Sequence, residues 1–306
     1  TRLLLFLISG ILLLSIGFVS CGTGPQTKTT VPDRGAYAVD FSAAPSELGF
    51  IDLSKSINSM AGLTEFTIEA WIKPNTTTLN GGVFSRSTGS EGGGDLAGIA
   101  LYIENSKPHF KITSGGDVVT TNLGTVLTNG QWAHIAVVLV NQNHDGVHND
   151  CDTDDNGTPN ADPTAPHVDI YKGGTFIDCA PATYPIGEFS FAERIGRLHT
   201  NFSGGIMEIN TKLNAVIDEV RFWKVARTGS QINQCKSQEL GVSGTCMVTS
   251  DLIGYWRLNE GTGTAVYDAS GTGNGGIKYY CEPGSGCESG GTSILWEGGW
   301  VAGYLF

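Results

Sequence analysis

The chain has 306 residues, with 18 Lys and Arg against 30 Asp and Glu, for a net charge of −12. Such an acidic surface repels phosphate backbones, which excludes nucleic acid as a partner class and suits cations. Forty-three glycines and only 16% charged residues indicate many turns between many short strands.

The N-terminal stretch TRLLLFLISGILLLSIGFVSC sets basic Arg2 ahead of an apolar run from Leu3 to Ser20. This is the layout of an export signal. The run is also near the length of a membrane span, so a plain secretory signal and an uncleaved anchor stay open. Phe18-Val19-Ser20-Cys21 resembles the lipobox of bacterial lipoproteins, with Phe where Leu is usual and no initiator Met in the sequence. The resemblance implies that residues 1–21 are a lipoprotein signal and that Cys21 carries lipid. The protein would then meet the membrane through that anchor only, at the cell surface or in the periplasm. Residues 22–34 are small and polar and read as a tether.

Export permits disulfides. Beside Cys21 the chain has six cysteines, an even number: Cys151, Cys179, Cys235, Cys246, Cys281 and Cys287. Local pairing is the simplest arrangement, 151 with 179, 235 with 246 and 281 with 287, and free buried thiols are the alternative.

From residue 35 the periodicity is two. In TEFTIEAWIKP, Phe66, Ile68, Ala70 and Ile72 alternate with Thr67, Glu69 and Trp71. GIALYIENS, HFKITS, WAHIAVVLV, VDIYKGG, ERIGRL, AVIDEVRFW and LIGYWRLNE are further short runs bounded by turn residues. Only ARTGSQINQCKSQEL, 226–240, reads as helix, one or two turns long. The chain is all-β, a sandwich or barrel. FTIEAWIKP, QWAHIAVVL, VDIYKGG, IGR and IDEVRFWKVART, in this order, resemble the laminin-G-like, concanavalin-type jelly rolls, closest to the bacterial and pentraxin-like branch. That implies a β-sandwich of two antiparallel sheets over residues 35–250, with a concave face and loops at its rim. DLIGYWRLNEGTGTAVYDASGTGNGG resembles the opening strand of the same family. Residues 251–306 therefore either close the first sandwich beside VIDEVRFW or begin a second, truncated domain. An apolar edge strand such as IGYWRL needs a partner, which favours closure. The natural chain is expected to continue past Phe306.

One insert, 141–167, interrupts this pattern between WAHIAVVLV and VDIYKGG. Shifted by eleven residues, NQNHDGVHNDCDTDDNGTPNAD matches itself: Asn141 falls on Asp152, Asn143 on Asp154, Asp145 on Asn156 and Asn149 on Asn160. Oxygen-bearing residues at alternate positions, glycine at the sixth and an oxygen at the ninth are what a calcium loop requires. Asp152 would close the first copy; Asp162 or Asp169 would have to close the second. The stretch resembles the thrombospondin type 3 calcium repeat, with Asn at 141 and 143 and no closing Glu. Fewer anionic ligands imply weak binding, roughly 10⁻⁴ to 10⁻³ M. A solvated acidic loop is the alternative. Zinc through His144, His148 and His167 is disfavoured by the hard oxygens around them. A second, weaker calcium set is Asp268 and Asn274 with Asp218, the last by family resemblance. Asx-turn hydrogen bonding is the competing role for Asp268 and Asn274.

Catalysis is not expected. In VIDEVRFW, alternation sends Asp218 and Glu219 to opposite faces, and a retaining glycosidase needs two carboxyls about 5 to 5.5 Å apart. Trp71, Trp132, Trp223, Trp256 and His134 fit the core. Tyr102, Tyr279, Tyr280 and Trp300 are the candidate sugar platforms, and Arg197, His199 and Asn201 candidate lining of the concave face. The expected function is calcium-dependent binding of glycans or other surface ligands. A structural or adhesive protein–protein module is the alternative, and a polysaccharide-cleaving enzyme the least favoured third.

Overall fold

A computed structural model describes residues 37–45, 48–53, 62–87, 98–114, 117–120, 126–141, 166–182, 193–198, 213–241, 244–281 and 293–304. Strands β1 (Ala38–Asp40), β2 (Leu48–Asp52), β3 (Phe66–Pro74), β4 (Gly81–Ser87), β5 (Gly98–Glu104), β6 (Lys107–Ser114) and β7 (Asp117–Thr120) come first. After them run β8 (Ala133–Val140), β9 (His167–Lys172), β10 (Thr175–Pro181), β11 (Arg194–Ile195) and β12 (Ala215–Trp223). Helix α1 (Gly229–Cys235), β13 (Leu252–Trp256), β14 (Ala265–Val266), β15 (Gly276–Cys281), β16 (Ser293–Leu295) and β17 (Trp300–Val301) complete the order.

These strands form two antiparallel sheets. The first runs β10-β9-β8-β3-β12-β1-β17, with β13 also on β12; the second runs β14-β15-β2-β11-β4-β5-β6-β7, with β16 on β15. The architecture is the concanavalin-like jelly-roll sandwich. Period-two alternation supplies the core: Phe66, Ile68, Ala70 and Ile72 of β3 and Ile135, Val137 and Leu139 of β8 meet Ile99, Leu101, Phe110 and Ile112 from the facing sheet. LIGYW pairs with VRFW through Val220 opposite Trp256. β15 lies on β2, and β17 on β1. Residues after 251 thus supply strands to both sheets.

Unlike a half-exposed sandwich sheet, the central strands β8, β3 and β12 of the first sheet are buried on both sides. Thr67, Glu69 and Trp71, on the face away from the core, are as inaccessible as their apolar neighbours. The cover is the segment after β12. Helix α1 opens with a capping box, Thr228 and Gln231 each bonding the other's backbone N–H. Ile232 packs on Ala136, Val138 and Tyr171, and Cys235, Leu240 and Cys246 pack on Trp223 and Tyr255. A disulfide joins Cys235 to Cys246. Cys179 is also disulfide-bonded. Cys21, Cys151 and Cys287 lie outside the described residues, as does the side chain of Cys281.

Beneath this cover lies a polar layer. Glu69 accepts from Trp223 Nε1 at 2.6 Å and from Arg227 Nη1 at 3.0 Å. Arg221 donates to the Cys235 and Gln238 carbonyls, and Trp71 to that of Lys236. Carbonyls at a helix C-terminus lack intrahelical partners, so buried donors from the sheet satisfy them and seat the helix.

Here one sequence expectation is corrected. Asp218 and Glu219 do not point to opposite faces. Asp218 pairs with Trp71 but Arg221 pairs with Glu69, so β12 has one extra residue between these pairs. Glu219 takes a positive φ of 51° to make the bulge. Alternation is reset, and both carboxyls face the cover. Asp218 Oδ2 accepts from the Tyr304 N–H at 2.8 Å, and Glu219 Oε2 accepts from Arg221 at 2.8 Å and from Tyr255 OH at 2.6 Å. Burial and the charge of Glu219 push Asp218 well above the usual carboxylate range. Burial also raises Glu219, with Arg221 opposing.

Candidate functional site

The outer face of the second sheet carries two rows of mostly polar and aromatic side chains. Strand register aligns Ile277, Asp52, Arg194, Ser85, Ala100 and Lys111 across β15, β2, β11, β4, β5 and β6. Beside them run Tyr279 paired with Phe50, and Tyr102 paired with His109. On β2 this face alternates with the core, Phe50 and Asp52 with Ile51 and Leu53.

Charge and aromatic surface meet at Phe50. The Arg194 and Arg197 guanidinium carbons lie 4.8 and 5.6 Å from the Phe50 ring centre, and the Tyr279 ring is 6.0 Å away. Burial raises the Asp52 carboxyl above its ordinary range, while Arg194 pulls it back. Gly196 places Arg197. It sits at φ +86°, and a Cβ there would come within 2.0 Å of the Phe41 ring. After this turn the Arg197 carbonyl accepts from Ser85 Oγ at 2.9 Å. At the other end Tyr102 stacks on His109 with ring centres 5.2 Å apart, and burial, aided by Glu104, pushes its hydroxyl up to about 12. Phe50, Tyr102, Arg197 and Lys111 are buried; Asp52, Arg194, Ile277 and Tyr279 are half-buried and form the accessible end. A half-open aromatic edge beside a guanidinium and a carboxyl can hold a pyranose by its apolar face and its hydroxyls.

Of the predicted platforms, Tyr279 lies on this face. Tyr102 is covered, Tyr280 packs against the core, and Trp300 covers Lys278. Trp256 is core. Trp71 and Trp223 lie under the cover, and Tyr304 stacks on Trp71 with ring centres 3.7 Å apart, beside Trp132. Sequence reasoning missed Phe50, Asp52 and Arg194. Their signal is the alternation in FID, where Phe50 and Asp52 share the face opposite Ile51. His199 and Asn201 lie outside the described residues.

Asn141 follows the end of β8 and is half-buried. Asn143, Asp145, Asn149, Asp152, Asp154, Asn156, Asn160 and Asp162 lie outside the described residues. Asp268 and Asn274 share one loop, and its oxygens are engaged. Asp268 Oδ1 accepts from the N–H groups of Tyr255 and Ser270, and Oδ2 from Thr272 Oγ1 and the Asn274 N–H. Asn274 Nδ2 donates to the Ile253 carbonyl. Asp218 shares no hydrogen-bond partner with them. Among the described residues no three His, Cys, Asp or Glu side chains are grouped to hold a metal ion, and no helix is long and apolar enough to cross a membrane.

Residues 49–163 match the family profile described as the concanavalin A-like lectin/glucanases superfamily. No curated protein matches the chain by sequence. Among solved structures the chain is similar to a provisionally assigned carbohydrate-binding protein from Bacteroides ovatus, at 19% identity and TM-score 0.48, covering 81% of this chain and 59% of that one. It thus spans less than two thirds of that protein. It is also similar to the heptameric SAP-like pentraxin of Limulus polyphemus, at 14% identity and TM-score 0.38, covering 66% and 82% of the two chains. A third is the CBM40 domain of the Ruminococcus gnavus IT-sialidase bound to α2,3-sialyllactose, at 13% identity and TM-score 0.43, covering 62% and 92%.

Proposed function

We propose that this chain is a lipid-anchored surface protein whose jelly roll binds glycans through the outer face of its second sheet. The carrying observation is the Tyr279–Phe50 aromatic pair set against Arg194 and Asp52. The superfamily matched by residues 49–163 contains lectins by its description, which supports a saccharide ligand. The acidic insert is a calcium loop in this reading, with Asn141, Asn143, Asp145, Asn149, Asp152, Asp154, Asn156, Asn160 and Asp162 as its oxygen donors, and Cys21 is the lipidated residue. The protein is a binder and not an enzyme: Asp218 and Glu219, the adjacent carboxyls considered for catalysis, are buried under the cover.

A glycan array probed with residues 22–306, with and without calcium, tests this. Arg194→Ala and Tyr279→Ala should each weaken the retained glycan about 5- to 150-fold, since stacking and charged hydrogen bonds are worth about 1–3 kcal/mol. A blank array, or binding unchanged in both variants, rejects the ligand face. Calcium titration into metal-stripped protein, beside Asp145→Ala/Asp152→Ala/Asp154→Ala, tests the insert separately. Saturable heat lost in the variant supports the calcium loop, and absence of heat rejects it.

Adhesion to a protein is the second reading. Tyr37 and Tyr267 are 40% and 48% exposed, each next to residues 259–261. Exposed aromatics of this kind suit protein contacts. Pull-down of a partner that is lost in Tyr37→Ser/Tyr267→Ser, with a blank glycan array, would replace the first reading by this one.

A further inference from the structure

The cover of the first sheet is not closed. Between α1, the end of β12 and the loop 244–248 lies a cavity of about 500 Å³, within the size range of small-molecule sites. Its floor is Trp223, Arg227, Leu240 and the Cys235–Cys246 bridge, all buried, and Met247 stands at its rim, 40% exposed. The residues that wall it belong neither to the glycan face nor to the acidic insert.

Two of these wall residues carry opposite charges. Arg227 is 7% exposed and lies over Trp223, its guanidinium carbon 4.1 Å from the ring centre. Nη1 donates to Glu69 at 3.0 Å and Nη2 to the Gln231 carbonyl at 3.0 Å. A guanidinium has five N–H donors, so this side chain keeps donors for a further acceptor where it walls the cavity. The Glu69 oxygen that it meets is shared with Trp223 Nε1. Asp251 is the opposite charge. Its side chain is 45% exposed, and Lys224 Nζ lies 3.8 Å from Oδ1, beyond hydrogen-bond length. So loose and exposed a pair is worth little, which leaves the carboxylate open to a better-placed cation.

We propose that this cavity binds a small apolar zwitterion, an α-amino acid or a dipeptide, with its carboxylate on Arg227, its ammonium on Asp251 and its apolar side chain against Leu240 and Met247. A guanidinium fork matches a carboxylate, and charge-assisted hydrogen bonds are the strong ones. A ligand with one charge satisfies only one end: an acid alone leaves Asp251 without a cation, and an amine alone meets Arg227 without compensation. In a long peptide the two terminal charges are far apart, so the pairing selects free amino acids and very short peptides. The Met247 thioether gives an adaptable apolar wall, so selection falls on the zwitterionic head more than on one side chain. The site depends on neither the glycan reading nor the calcium loop.

The test is calorimetric titration of the purified protein with four probes. L-phenylalanine and glycyl-L-phenylalanine are the zwitterions; 3-phenylpropionate lacks the ammonium and 2-phenylethylamine lacks the carboxylate. At least one zwitterion should bind at a single site, at least about tenfold more tightly than either singly charged analogue. The tighter zwitterion tells amino acid from dipeptide. Asp251→Asn should close the gap between that zwitterion and 3-phenylpropionate. Gln234→Trp, which fills the cavity from an exposed position on α1, should abolish its binding. No binding of either zwitterion, analogues that bind as tightly, or zwitterion affinity unchanged in both variants overturns the proposal. Should a variant fail to fold, NMR of the unmutated protein decides. The bound zwitterion must shift the methyl signal of Met247, one of three methionines, and shifts confined to residues of the second sheet overturn the proposal.

Discussion

Arg227 and Glu69 meet across the covered face of the first sheet, Nη1 to Oε1 at 3.0 Å, with Trp223 Nε1 on the same oxygen at 2.6 Å. The pair links the strand at the centre of the sheet to the segment that covers it. Burial alone would raise Glu69. The His134 imidazole, 3.2 Å from Oε2, and the charges of Arg221 and Arg227 outweigh burial and hold it at about 2. A folded pKa below the ordinary 4.5 means the unfolded chain binds this proton more tightly. The stability contributed is complete above pH 4.5 and is lost as pH falls toward 2. Glu69→Gln should destabilise the fold by about 3–5 kcal/mol at pH 7, because Arg227 and Arg221 lose their counter-charge. It should also flatten the acid limb of the stability curve. Urea titrations from pH 2 to 7 check both.

Lys278 is fully buried, with Nζ 3.9 Å from the Trp300 ring centre, 4.9 Å from that of Trp296, and 2.6 Å from the Gly298 carbonyl. Burial lowers its pKa to about 7, with Glu260 and Glu297 opposing. Here the folded pKa lies below the unfolded value of 10.5, so between them the unfolded chain holds the extra proton. Stability from this group therefore rises as pH goes from 7 toward 10.5, opposite to a lysine engaged in a salt bridge. Unfolding free energies at pH 7, 8.5 and 10 should show the rise in wild type and not in Lys278→Met.

Gly196 should not tolerate alanine. Its φ of +86° and a Cβ 2.0 Å from the Phe41 ring demand movement of a core aromatic. We expect a loss of more than about 3 kcal/mol by chemical denaturation. Arg197 would shift with it, so glycan affinity should fall in any fraction that folds.

Removing the Cys235–Cys246 bridge, which spans 11 residues, should cost about 2–3 kcal/mol by loop entropy. Hydrogen exchange should localise the loss to α1 and residues 244–248 and leave β5 and β6 unchanged. A cavity of about 500 Å³ beside the bridge, walled by Trp223, Gln234 and Met247, should collapse or open with it.

Much of the fold is legible in the sequence because its physics is local. Alternation in FTIEAWIKP and in WAHIAVVLV follows from which side chains face the core. What covers the opposite face is not local. Glu69 in its strand reads as a solvent position until Arg227, 158 residues away, is folded over it. The β12 bulge is equally hidden: nothing in VIDEVRFW announces that Glu219 will adopt a positive φ, and that one torsion decides which way two carboxyls point. On the second sheet, Phe50 and Asp52 are placed by alternation, but their partners Tyr279 and Arg194 come from strands far along the chain. For the metal reading, the insert's oxygen pattern is visible as text.

The strand order also sets a schedule. β1, near the beginning of the described chain, is bordered on one side by β17, and β2 is bordered by β15. Synthesis makes these partners after β1 to β14. Until residues beyond 276 emerge, β2 has an open edge where β15 will lie, and β1 one where β17 will lie. Both sheets can therefore be completed only once residues 276–301 have been made.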